Sequence, residues 1–377
     1  MKSEKLTVNT GCDFFQLATL GVQGLQPYQP GKPIEELERE YGIKNVIKLA
    51  SNENPLGISP RVFEAVQANL KDIARYPDGN GFALKKALAQ KHSVEMDMIT
   101  LGNGSNDVLE LIARAFVTPE HSVVFSEHAF AVYPLVTQAI SAKAIVTPAK
   151  NWGHDLTAMQ AAICEDTRLI FIANPNNPTG TWVDRTSLKA FLNVVPKDVI
   201  VVIDEAYYEY AIENPDYPDS LEWLSDYPNL VTVRTFSKAY GLAGLRVGYS
   251  ISHPDVANLL NRVRQPFNVN NIALIAATTA LTDNEYLEKS IALNREGMQQ
   301  LTQVFDEMKL QYIDSVCNFV SVEVGDGAAV YESLLCEGII VRPIGGGYKM
   351  PQHLRVSIGT KAENEQFIKA LRKVLNH

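Results

Sequence analysis

The chain has 377 residues, 46% of them hydrophobic and 20% charged, the composition of an ordinary soluble globular protein with room for one large or two moderate domains. A net charge of −9 without any Lys/Arg run argues against a nucleic-acid partner, and no apolar run is long enough to span a bilayer. The scattered cysteines Cys12, Cys164, Cys317 and Cys336 show neither CxxC metal spacing nor a disulfide framework, and the polar segment Met1 to Asn9 lacks the apolar core of a signal peptide, so a cytoplasmic protein is expected.

In chain order, Gly24 to Lys32 (GLQPYQPGK) reads as an irregular arm and Glu35 to Tyr41 as a short charged helix. Helical spacing of Val62, Phe63, Val66 and Leu70 predicts a helix over 60–71, followed by another over 82–91. Asp107 to Phe116 is amphipathic and helical. Ser122 to Phe125 predicts a strand, Tyr133 to Ile140 a helix and Lys143 to Thr147 a strand. LIFIA (Leu169 to Ala173) and VIVVI (Val199 to Ile203) are continuous apolar strands of the kind buried on both faces of a parallel sheet, with a helix at Leu188 to Val194 between them. LVTVRT (Leu230 to Thr235) is a further strand. Beyond about residue 270 the pattern changes to helices at 271–281 and 284–308, then a strand at 319–324, a helix at 328–337, strands at 339–342 and 354–358, and a last helix at 361–375. The alternation predicts an α/β layer with a mostly parallel sheet, followed by a smaller α+β unit.

The polar residues that carry chemistry follow the apolar strands, where open α/β sheets bind ligands. LIFIA runs into NPNNPTG with Asn177, VIVVI into DEAY with Asp204 and Tyr207, and LVTVRT into Phe236-Ser237-Lys238. In SKAYGLAGLR, Lys238 can form a Schiff base while Ser237 and Arg246 grip a phosphate, two of the things pyridoxal 5'-phosphate requires. An ionised Asp204 would raise the pKa of the cofactor's pyridine nitrogen, and Asn177 and Tyr207 can hydrogen-bond its phenolate oxygen. Freed from the cofactor, Lys238 can move a proton as general base and acid. GNGSND opens a helix, so Ser105 and Asn106 sit at the first free N–H groups, a phosphate site. The seven histidines are dispersed, without HExxH or Cys/His pairing, and there is no Walker A motif, so neither a metal nor nucleotide hydrolysis is expected.

The ordered set GNGSND, NPNNPTG, DEAY and SKAYGLAGLR resembles the fold-type-I PLP-dependent aminotransferases of the aspartate aminotransferase superfamily over nearly the whole chain. LASNENPLG, RYPDGNGFALKKALA, GIIVRP and LRVSIGT narrow the resemblance to the histidinol-phosphate aminotransferase branch, although aromatic amino-acid aminotransferases and a threonine-phosphate decarboxylase share most of it. The resemblance implies an α/β fold: a large PLP-binding domain over 51–270 with a mostly parallel mixed sheet between helices, a smaller α+β domain over 271–377, and an arm over 1–50 that joins the small domain. It implies Lys238 as the Schiff-base residue, Ser237 and Arg246 on the phosphate, Asp204 on the pyridine nitrogen, and Tyr207 and Asn177 beside the ring. Tyr76 of RYPD would reach the cofactor phosphate of a neighbouring subunit, which implies a homodimer with shared sites. The aromatic ring stacked on the cofactor matches Phe130, with Tyr133 the competing candidate. Arg355 of LRVSIGT matches the arginine that takes a substrate carboxylate. Histidinol phosphate has none, so its phosphate would use that anion site, with Arg342, Asn52 and Tyr28 of the arm as further substrate residues. The implied reaction moves an amino group from L-histidinol phosphate to 2-oxoglutarate, giving imidazole acetol phosphate and L-glutamate, in L-histidine biosynthesis. A non-catalytic regulator on this fold usually carries a DNA-binding extension; the chain begins almost at the arm and retains Lys238, so an enzyme is expected.

Overall fold

A computed structural model describes residues 11–27 and 31–376. Its centre is a seven-stranded sheet of β1 (Ile99–Gly102), β2 (Ser122–Ser126), β3 (Lys143–Thr147), β4 (Thr167–Ala173), β5 (Ile200–Asp204), β6 (Leu230–Thr235) and β7 (Gly248–Ser252), in the order β1-β7-β6-β5-β4-β2-β3. Only β7 runs against the others, pairing antiparallel with β6 and β1. The strands β2 to β6 pair in parallel wherever they touch.

The apolar runs are continuous because both faces of this sheet are covered, and successive side chains alternate between them. Ile170, Ile172, Val201 and Ile203 enter one core, together with Leu188 and Phe191 of the helix Arg185–Val194. Leu169, Phe171 and Val202 enter the other, against Leu109 and Ile112 of the helix Ser105–Phe116. β1 and β7 are absent from the sequence reading. GYSIS holds only two large apolar residues, and both strands become recognisable only through their pairing.

A second sheet holds β8 (Tyr312–Ile313), β9 (Phe319–Glu323), β10 (Arg342–Pro343) and β11 (His353–Ser357), in the order β8-β9-β11-β10, all antiparallel. The helix Asn284–Glu307 and the terminal helix Lys361–Val374 cover it through Leu301, Phe305, Phe367 and Leu371. Early residues return to this unit: Ile47 and Lys48 pair in parallel with Ile339 and Ile340, and Leu37 packs on Leu335 and Ile340. The expected strand over 339–342 is two short pieces, Ile339–Ile340 and Arg342–Pro343, which belong to different sheets.

Candidate active site

The parallel register of β4, β5 and β6 sets three loops side by side: Ala173 lies opposite Asp204, and Asp204 opposite Val233. Beyond their carboxyl ends lies a cavity of about 270 Å³. Asn177, Asp204, Tyr207, Ser237 and Lys238 all line it, although 61 positions separate the first from the last. The peptide bonds before Pro175 and Pro178 are both cis.

Asp204 ends β5 and is buried. Its Oδ2 accepts a hydrogen bond from the Tyr133 hydroxyl at 2.9 Å, while Oδ1 is buried without a partner among the described residues. Burial pushes the carboxyl up to about 6, against the opposing pull of the Tyr133 hydroxyl, the Ala206 N–H and Lys238. Lys238 donates to the carbonyls of Ser51 and Asn52, each at 3.3 Å. Loss of solvation, followed by the Arg355 charge, lowers its ammonium to about 8, with Glu53 opposing. The Asn52 side chain donates to the Tyr207 hydroxyl at 2.9 Å, and burial holds that phenol protonated well above its ordinary value.

Ser105 and Asn106, the first two residues of their helix, line the cavity together with Arg246. Arg246 reaches the Ser237 hydroxyl at 3.3 Å, and Thr235 binds that hydroxyl and the Ser237 N–H, each at 3.1 Å. Gly104 sits at φ +86°, where a side chain would run into the Arg246 guanidinium, and a Cβ on Gly248 would collide with the Ser105 amide. These two glycines let strand, helix and arginine converge. Arg355, which also lines the cavity, is buried, donating to Asn177 Oδ1 at 2.6 Å and to the Ala50 carbonyl at 2.7 Å, with its Nε unpaired among the described residues. Arg342 is its cross-strand partner and lines the same cavity.

Phe130 lines the cavity. Tyr133 lies behind it, its ring edge-on to Phe130 at 5.9 Å and stacked on Phe171 at 4.6 Å. Tyr76 is not among the cavity residues: it is 84% exposed and stacked on Phe267 at 4.8 Å. Tyr28 lies outside the described residues. Sequence reasoning missed the contact of Tyr133 with Asp204, and it missed Tyr348. Tyr348 lines the cavity, and its carbonyl accepts a hydrogen bond from His128 Nδ1 at 2.6 Å. A run of three glycines before an aromatic residue was the available signal for Tyr348.

A lysine, a buried carboxylate and two basic anion sites around one cavity are the equipment of a PLP-dependent group-transfer enzyme, and the chain belongs to the aminotransferase class I and II family, whose profile matches residues 44–371. Its relatives include histidinol-phosphate aminotransferase 2 of Pseudomonas fluorescens, 59% identical over 96% of this chain and 98% of the relative. Histidinol-phosphate aminotransferase 1 of Nitrosococcus oceani is 58% identical, also over 96% and 98%. The crystal structure of histidinol-phosphate aminotransferase from Sinorhizobium meliloti in complex with pyridoxal 5'-phosphate superposes with a TM-score of 0.88, at 30% identity and covering 99% of both chains.

Proposed function

We propose that this chain is a PLP-dependent transaminase that moves the amino group of L-histidinol phosphate to 2-oxoglutarate, giving imidazole acetol phosphate and L-glutamate, within L-histidine biosynthesis in the cytoplasm. The observation that carries the reading is one cavity lined by Asp204, by Lys238 and by two separate basic groups, Arg246 on Ser237 near Ser105 and Asn106, and Arg355 opposite Arg342. The relatives of the same name, at 58 and 59% identity over nearly full length, support the substrate.

The residues fit the cofactor. The buried Asp204 Oδ1 has no partner among the described residues, as an acceptor reserved for a ligand cation would. The space at Gly104 and Gly248 is closed to any Cβ, leaving a bare helix terminus beside a guanidinium. Ser105, Asn106, Ser237 and Arg246 would hold the phosphate, Asp204 the pyridine nitrogen, Asn177 and Tyr207 the ring oxygen, and Phe130 the ring face. Lys238 would bond the cofactor through Nζ. When bound, the cofactor supplies an electron sink for the charge left on the substrate carbon after proton loss.

Lys238 does the proton work. With its ammonium lowered to about 8, about a tenth of Nζ is neutral at pH 7, far more than at the ordinary lysine value, and able to accept a proton from the substrate carbon. The Ser51 and Asn52 carbonyls hold the amine, and Arg355 disfavours its charged form. Arg355 and Arg342 orient the substrate by its anionic end, phosphate in one half-reaction and carboxylate in the other.

The homodimer with shared sites belongs to the same reading. Tyr76 is exposed, and so are Phe63, Ile73 and Phe82 from the same stretch of chain, all large and apolar. A neighbouring subunit would cover them and receive the Tyr76 hydroxyl at its phosphate end. We also keep the division into an arm over 1–50, a large domain over 51–270 and a small domain over 271–377; the pairing of Ile47 and Lys48 with Ile339 and Ile340 supports joining the arm to the small domain. The test is a glutamate-release assay with PLP and 2-oxoglutarate, offering histidinol phosphate and, separately, phenylalanine and tyrosine. Histidinol phosphate should have the highest kcat/KM by far; strong preference for an aromatic amino acid would overturn the assignment.

A further inference from the structure

Asp204 is the most valuable carboxylate in the cavity, and one of its two oxygens is already taken. The Tyr133 hydroxyl donates to Oδ2 at 2.9 Å, leaving Oδ1 as the oxygen available to a ligand. Tyr133 belongs to the helix Val132–Ala139, and Asp204 closes β5, so the contact joins a cover helix to the carboxyl end of the central sheet's middle strand.

Packing alone does not call for a tyrosine here. The ring is fully buried, stacked on Phe171 at 4.6 Å and 5°, and edge-on to Phe130 at 5.9 Å. A phenylalanine would make the same ring contacts without burying a hydroxyl, which is costly unless it is paired. The hydroxyl has one acceptor, a carboxylate at the head of the cavity.

We propose that Tyr133 is a positioning residue for the reaction: its hydroxyl fixes Asp204 through Oδ2, aims Oδ1 at the cofactor's ring nitrogen, and keeps the carboxylate charged in a dry site. The inference rests on the PLP reading above. A carboxylate taken from water loses its charge unless hydrogen bonds and cations replace the solvent. The groups facing Asp204 are the Tyr133 hydroxyl from the helix, the Ala206 N–H on its own loop and the Lys238 amine from the loop after β6. Lys238 changes its own charge near pH 8, so Tyr133 is the constant side-chain donor. Burial and the adjacent Asp204 charge hold the Tyr133 phenol protonated far above its ordinary value, so it never becomes a competing anion; Tyr207 and Tyr348, the other phenols facing it, act in the same direction.

The experiment follows the Asp204 carboxyl by ¹³C NMR in the PLP-free protein, with the signal assigned by its loss in Asp204→Asn. Tyr133→Phe should raise its titration midpoint by about one to two pH units, the value of a hydrogen bond to a charged group. A ring-fluorinated tyrosine at 133, a stronger donor of nearly the same shape, should lower it; this second variant reports even if Tyr133→Phe folds poorly. Phe171→Leu, which loosens the same packing without touching the hydroxyl, should leave the midpoint in place. PLP affinity at pH 7 should fall about tenfold in Tyr133→Phe, and not fall further when Asp204→Asn is already present. An unmoved midpoint in Tyr133→Phe, or an equal shift in Phe171→Leu, would overturn the inference. A protein that binds no PLP at all would overturn the cofactor reading and leave the titration result intact.

Discussion

Lys238 shares its cavity with Arg246 and Arg355, and among the described residues its amine donates to two backbone carbonyls and to no carboxylate. Its folded value of about 8 lies below the ordinary 10.5, so between those pH values the unfolded chain binds more protons and the PLP-free protein gains stability as pH rises. Below about 8 the full cost of a buried ammonium is present. Lys238→Ala should therefore abolish transamination yet raise the thermal midpoint of the PLP-free protein at pH 7, measured by calorimetry. A lowered midpoint would show that the lysine stabilises the fold instead. The rate of PLP capture by the wild-type protein should rise through pH 8, where Nζ becomes neutral. Arg355 presents the opposite case, a buried cation already fixed by Asn177 and the Ala50 carbonyl. Arg355→Lys keeps the charge but loses the planar fork, and should lower kcat/KM by at least about thirtyfold for both histidinol phosphate and glutamate. A loss confined to one substrate would mean that the two anions use different sites.

Among the elements, two junctions hold the site together. The first is the turn Gly102–Ser105, where Gly104 admits Arg246. Gly104→Ala should weaken PLP binding by about tenfold or more in a fluorescence titration, because the new methyl displaces the guanidinium from the phosphate end. The second is an ion pair beneath β5 and β6. Arg234, 2% exposed, binds Glu205 through Nε at 2.9 Å and Asp219 through Nη2 at 2.7 Å. Glu205→Gln leaves Arg234 with Asp219 alone and should cost about 3 kcal/mol in urea unfolding, since a buried charge loses a partner. Most elements were legible because their periodicity is local: Arg185–Val194 and Ser105–Phe116 each present one apolar face. The strands β1 and β7 were not, because neither carries a long apolar run and each stands out only by lying beside its neighbours.

The whole molecule is a sheet whose strand ends open onto a second, smaller sheet, with the cavity between them. Tyr76, Phe63, Ile73 and Phe82 remain exposed on its surface. Analytical ultracentrifugation should find a dimer at micromolar concentration. Tyr76→Phe should leave that dimer intact while reducing PLP affinity several-fold; unchanged affinity would remove Tyr76 from the site.

Sequence alone was enough to read the chemistry class. Lysine, carboxylate and phosphate-binding turn each directly follow an apolar run or open an amphipathic helix, and such local order survives in one dimension. It also placed Asn177, Asp204 and Lys238 at one sheet edge, because consecutive parallel strands deliver their loops to the same side. Only the tertiary structure decided which aromatic residue meets which group. Phe130 and Tyr133 are three residues apart and both aromatic, but Phe130, just before the helix Val132–Ala139, lines the cavity, while Tyr133, within that helix, reaches Asp204, 71 positions away. Arg342 likewise reaches the cavity from a separate sheet, and Tyr348 from the turn between two of its strands. Side-chain direction and long-range packing set those contacts, and neither leaves a periodic trace in the chain.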